Sequence, residues 1–204
     1  NARFVPMYEQ ELLHVWEYIV RDSGIKLLFV SKPAILEQVK DFPGKIETLK
    51  KIVVIDGEGP DSMAALEQEG EKQLTPAVHP SAYDIATLIY TSGTTGDPKG
   101  VLLSHGNWTH NSHGRARLYP GYDHSDRVLS ILPWAHTYGQ GEMHTFLQFG
   151  ASIALMGSTA TLAGDMMSAR PTFLIAVPRV FNKIYEGLWA KMNETGGLAR
   201  KLFV

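Results

Sequence analysis

Apolar positions along this 204-residue chain fall into two alternating rhythms. Short β-branched or apolar runs stand at KLLFVS (26–31), KIVVID (51–56), ATLIYT (86–91), GVLLS (100–104), RVLSIL (127–132), ASIALM (151–156) and TFLIAV (172–177), and each predicts a strand. Between them the spacing turns helical. Leu12, Val15, Trp16 and Ile19 share one face of a helix, as do Val180, Ile184, Leu188 and Met192. Strand and helix in alternation predict an α/β fold with mostly parallel sheets flanked by helices. The polar, turn-rich stretch at 56–84 is the expected subdomain connection, and no internal repeat or low-complexity tract interrupts the pattern.

Composition narrows the possible functions. With 44% hydrophobic residues the chain can bury a sizeable core. Lys and Arg number 19 against 21 Asp and Glu, and no basic run follows a phosphate backbone, so nucleic acid is not an expected partner. The absence of cysteine removes disulfides, thiolate metal sites and cysteine nucleophiles. No apolar run reaches the length of a bilayer span, and the opening residues NARFVPMYEQ carry neither an initiator Met nor a signal-peptide pattern. A cytoplasmic or peripheral-membrane location is the expectation.

One loop concentrates unusual chemistry. YTSGTTGDPKG (90–100) lies between two predicted strands, where α/β proteins place ligands. Glycines at 93, 96 and 100 let backbone N–H groups converge on an anion. Thr91, Ser92, Thr94 and Thr95 add hydroxyl donors, Lys99 a mobile cation, and Pro98 stiffens the return. That set suits a polyphosphate. It is not a Walker A loop, because Pro98 precedes the lysine and Gly100 follows it.

DIATLIYTSGTTGDPKGVLLSH (84–105) closely resembles the signature phosphate loop of the adenylate-forming superfamily, which includes acyl-CoA synthetases, peptide-synthetase adenylation domains and luciferases. LPWAHTYGQ (132–140) is similar to the next core motif of that family. RPTFLIAVPRVFNKIYEGL (170–188) and FVPMYE (4–9) resemble segments of its long-chain fatty acyl-CoA synthetases. The resemblance implies part of the large N-terminal domain of the acyl-CoA synthetase fold, over residues 1–204. It implies carboxylate adenylation by ATP with loss of pyrophosphate, followed by transfer to coenzyme A, with magnesium bound by ligands largely outside this chain.

By that resemblance Thr91, Ser92, Gly93, Thr94, Thr95, Gly96 and Lys99 hold the β- and γ-phosphates. His136 follows a strand and a proline, where a side chain projects from a sheet end, and matches a position the family places beside the substrate carboxylate and α-phosphate. Tyr138, Gly139 and Gln140 follow it along the acyl pocket, and Trp134 is either a pocket wall or core packing. His105, His110 and His113 lack the carboxylate or thiolate that would complete a metal set. YGQGE (138–142) superficially resembles the family's later YGxTE motif, whose glutamate helps hold magnesium, but Gly141 replaces the threonine and the segment comes too early.

A true YGxTE, a TGD whose aspartate would bind ribose, and a late catalytic lysine are absent, and AGD at 163–165 lacks the threonine. The expectation is a piece of a long-chain acyl-CoA ligase, inactive alone and prone to self-association through apolar faces. The alternatives are an enzyme adenylating aryl or amino acids, and a noncatalytic nucleotide-binding module. VPRVFNKIY favours the fatty-acid reading over the aryl or amino-acid one.

Overall fold

A computed structural model describes residues 2–91 and 96–195. The chain divides into two compact units, Asn1–Asn107 and Trp108–Val204.

The first unit begins with α1 (Leu13–Ser23), which buries Trp16, Ile19 and Val20; of the expected stripe Val15 is half-buried and Leu12, the N-cap, is exposed because it precedes the first helical turn. Gly24 ends it in the left-handed region at φ 63°, donating its N–H to the Arg21 carbonyl. Next come β1 (Leu27–Val30), α2 (Pro33–Val39), the short α3 (Phe42–Lys45) and β2 (Lys51–Val54). The two strands pair in parallel, Leu27 opposite Lys51 and Val30 opposite Val54. Trp16, Val20, Leu28, Ile35, Val39, Phe42 and Ile52 close around them as one buried cluster. Each large apolar side chain fully buried there contributes about 2 kcal/mol.

Between Asp56 and Asp84 the chain forms α4 (Met63–Lys72), capped by the Ser62 hydroxyl accepting from the Ala65 N–H, and then an extended stretch exposed throughout 71–80. β3 (Ile85–Thr91) and β4 (Lys99–Ser104) follow, with Thr91 opposite Lys99. Their pairing is antiparallel, a departure from the mostly parallel arrangement. The reason is length: the connection at 92–98 is far shorter than the dozen or so residues that a parallel crossover needs. Phe4 pairs along the other edge of β3, donating to the Ala86 carbonyl and accepting from the Leu88 N–H, each at 2.9 Å.

α5 (His105–Leu118) carries the chain into the second unit, which holds β5 (Arg127–Ser130), α6 (Thr137–Phe149), β6 (Ser152–Leu155), α7 (Leu162–Ala169) and α8 (Pro178–Thr195). β5 and β6 pair in parallel from Arg127–Ser152 to Ser130–Leu155. Below them Tyr122, Phe146, Phe149 and Phe173 form an aromatic cluster, with Tyr122 and Phe173 rings edge-to-face at 4.6 Å.

The strand expected at 172–177 does not form. Only Phe173 bridges Val128, and Phe173 and Ile175 are apolar because they pack on the cluster around Val128, Phe146 and Ala151. In α8 the expected stripe is half-buried at Val180, Ile184 and Met192, while Leu188 is exposed.

Candidate functional site

The glycine-rich stretch joins β3 to β4, its antiparallel partner. Its root is fixed at Tyr90, whose hydroxyl donates to Asp22 Oδ2 of α1 at 2.5 Å and whose ring meets Tyr18 edge-on. Burial pushes the Tyr90 phenol far up, and the Asp22 hydrogen bond and charge add to it, so the proton stays on the tyrosine and the bond persists. Thr91 is exposed at the end of β3, and its hydroxyl lies 3.5 Å from the Lys99 carbonyl across the hairpin. Ser92, Gly93, Thr94 and Thr95 lie outside the described residues. Gly96 stands at φ 95°, a conformation that a side chain would strain. Lys99 opens β4 exposed to solvent, and among the described residues no ion pair engages it. At Gly100 a Cβ would come within 2.9 Å of Leu88 Cδ1, so this glycine also serves the close packing of the hairpin.

In the second unit the bend after β5 carries the other predicted residues. Leu132 is buried, Trp134 is 37% exposed, and His136 is exposed at the N-cap of α6. The His136 Nδ1 accepts the Tyr138 N–H at 3.1 Å. A neutral ring in that role carries its proton on Nε2, which leaves an N–H donor on the ring's other nitrogen. Tyr138 is 44% exposed, and the Arg115 guanidinium of α5 lies over its ring, 5.3 Å from the centroid.

The residues behind this surface are buried. Gly139 passes so close to the preceding bend that a Cβ would sit 2.5 Å from the Pro133 carbonyl oxygen. Gln140 is 1% exposed, and its amide donates to the Trp134 carbonyl at 2.7 Å. At Gly141 a Cβ would meet the Arg115 guanidinium at 3.0 Å. Glu142, in the segment that superficially resembles a magnesium motif, is buried. Ser130 donates to its Oε2 at 3.0 Å while accepting the Trp134 indole N–H at 3.2 Å. Its Oε1 is buried and has no hydrogen-bond partner among the described residues. Burial raises the Glu142 pKa to about 7, against the opposing pull of the Ser130 hydrogen bond and the Arg115 charge. Sequence reasoning missed this network, since Ser130 and Arg115 come from other elements.

Among the described residues no group of three or more His, Cys, Asp or Glu could hold a metal ion. Asp165 of the AGD triplet spends its carboxylate locally, accepting from Thr161 Oγ1 at 2.7 Å and the Gly157 N–H at 3.1 Å.

Comparison with known proteins places the fold and the family. The family model described as AMP-binding enzyme matches residues 1–202. Long chain acyl-CoA synthetase 7, peroxisomal, of Arabidopsis thaliana is 31% identical, over 98% of this chain and 30% of its own length. The chain thus spans about a third of the curated relatives it matches. Among solved structures, a long-chain-fatty-acid-CoA ligase from Archaeoglobus fulgidus superposes with a TM-score of 0.77 at 27% identity, over 90% of this chain and 36% of that one. ATP-bound MatB from Rhodopseudomonas palustris shares the fold with a TM-score of 0.71 at 24% identity, over 89% and 35%. With a family model matched over nearly its whole length, the chain belongs to the AMP-binding enzymes.

Proposed function

We propose that this chain carries the phosphate-holding loop and part of the acyl-substrate wall of an ATP-dependent long-chain fatty acid:CoA ligase. A fatty-acid carboxylate oxygen attacks the α-phosphorus of ATP, the α–β phosphoanhydride bond breaks and pyrophosphate leaves. The coenzyme A thiol then attacks the acyl carbonyl, forming the thioester and releasing AMP. Thr91, Ser92, Gly93, Thr94, Thr95, Gly96 and Lys99 hold the β- and γ-phosphates, and Lys99 offsets charge on the departing pyrophosphate. His136 donates its Nε2 proton as a hydrogen bond to the carboxylate or the α-phosphate, orienting one against the other. Trp134 and Tyr138 line the acyl path, and Gly139 and Gln140 set the bend behind them.

The observation that carries this reading is the exposed Lys99, in no ion pair among the described residues, at the start of β4 three positions after the positive-φ Gly96. Long-chain acyl-CoA synthetases among the relatives support the fatty-acid choice. No described helix is long and apolar enough to cross a membrane. The cytoplasm or a membrane surface is the proposed place of work. The test is pyrophosphate release by the product of the gene's full reading frame, with ATP, magnesium, coenzyme A and acids of graded chain length. Release dependent on long-chain acids is expected. A strong preference for aromatic or amino acids would overturn the assignment.

A further inference from the structure

The exposed bend that presents Trp134 and His136 rests on buried polar side chains, two of which, Ser130 and Glu142, have no part in the reaction above. We infer that Glu142 is a positioning residue for that bend, acting through Ser130 on Trp134 and so on the approach to His136; the inference rests on the ligase reading. Ser130 has one hydroxyl proton and must also accept from the Trp134 indole. Giving the proton to Glu142 Oε2 turns the Ser130 lone pairs toward the indole N–H. Gln140 grips the same residue by its carbonyl, so Trp134 is held at both side chain and backbone. Two residues on, the His136 N–H bonds back to the Pro133 carbonyl at 3.1 Å and the ring caps α6.

Ser130, Gln140 and Glu142 are 6%, 1% and 1% exposed, whereas Trp134 and His136 reach the surface. The fixed members lie inside and the substrate-facing members outside, the arrangement expected of a preorganised site. A buried carboxyl with an unpartnered oxygen is a costly way to fill space that an apolar side chain would fill without desolvation. The acceptor role toward Ser130 accounts for its presence.

The experiment uses the full-reading-frame protein with Glu142→Leu, Glu142→Gln, Ser130→Ala and the Glu142→Leu/Ser130→Ala pair. Glu142→Leu and Ser130→Ala are each expected to lower kcat for pyrophosphate release roughly 10- to 100-fold, with KM for ATP within about twofold, since the phosphate loop is untouched. Glu142→Gln, whose amide oxygen still accepts from Ser130, should recover most of the rate. The pair should be no worse than either single change, because both cut one chain. Trp134 emission, isolated by subtracting a Trp134→Phe background, should shift to the red in Glu142→Leu and Ser130→Ala alone. Normal kcat and unshifted emission in either folded variant would overturn the inference. If the parent releases no pyrophosphate with any fatty acid, the ligase reading fails, while the emission comparison still decides whether Glu142 holds the bend.

Discussion

Replacing Glu142 by Gln should make the protein more stable in alkaline buffer and leave it almost unchanged in acid. In the folded state burial holds the carboxyl at about 7 against an ordinary 4.5. The folded protein therefore binds more protons than the unfolded chain between those values, and stability falls as pH rises from about 4.5 to 7, then levels off. The full difference corresponds to about 3 kcal/mol at pH 8.5, and to less than about 0.5 kcal/mol at pH 4.5. Gln does not ionise, keeps an acceptor for Ser130 and offers an amide N–H₂ where Oε1 lacks a donor. Relaxation of Arg115 toward the charged carboxylate brings the expected gain at pH 8.5 to about 1–3 kcal/mol. For a chain of this size that is a rise in Tm of roughly 3–10 °C. Urea titrations of both proteins at pH 4.5, 6, 7 and 8.5, followed by far-ultraviolet circular dichroism, measure it. All other titrating groups cancel in the comparison. A stability difference of the same size at every pH would refute the reasoning, because it would mean that Glu142 is not charged at a cost inside the fold.

Lys99→Ala should change Tm by less than about 1 °C, because the side chain is exposed and in no ion pair among the described residues, while slowing pyrophosphate release by the full-reading-frame protein at least tenfold; a large loss of stability with normal turnover would make it a structural lysine. Gly139→Ala should destabilise by about 2 kcal/mol or more despite the better helix propensity of alanine, because its Cβ would meet the Pro133 carbonyl oxygen at 2.5 Å, and chemical denaturation would detect it. The 204-residue chain incubated with ATP, magnesium and a fatty acid should form no acyl-adenylate detectable by mass spectrometry, since Lys99 is the one cation of the recognised loop. In size-exclusion chromatography the same chain should self-associate at high concentration through apolar residues such as Phe181 and Leu188, which are 48% and 45% exposed.

Apolar periodicity carried much of the fold. The β-branched runs at 51–56 and 127–132 became β2 and β5, and Trp16 and Ile19 of the 12–19 stripe lie on the buried face of α1, while Leu12 at its N-cap is exposed. Periodicity failed at 172–177, because an apolar run records burial, and burial against aromatic rings looks the same in sequence as burial within a sheet. The antiparallel hairpin at 85–104 departed from the parallel expectation, because the seven residues at 92–98 are too few for a parallel crossover. At the site, Lys99 and Gly96 could be read directly, because chain neighbours define that loop. The roles of Gln140 and Glu142 could not. Gln140 binds a carbonyl six positions back, Glu142 a hydroxyl twelve back, and the charge facing Glu142 belongs to a helix before β5.

The two glycines alternating with Gln140 and Glu142 bear on how this segment could be transplanted. Leu132 to Glu142 is nearly self-sufficient: the bend presses on Gly139, Gln140 holds the bend, and His136 caps the helix that carries both. From outside it borrows the Ser130 hydroxyl, the Arg115 guanidinium over Tyr138 and beside Gly141, and the Thr145 hydroxyl that donates to the Gly141 carbonyl. A chimera that exchanged residues 132–142 between related AMP-binding enzymes would therefore keep its exposed surface intact only if the exchange began at Ser130 and the residue facing Gly141 on the preceding helix travelled with it. A crossover point placed at Leu132, inside the loop, would separate a side chain from the hydroxyl that orients it.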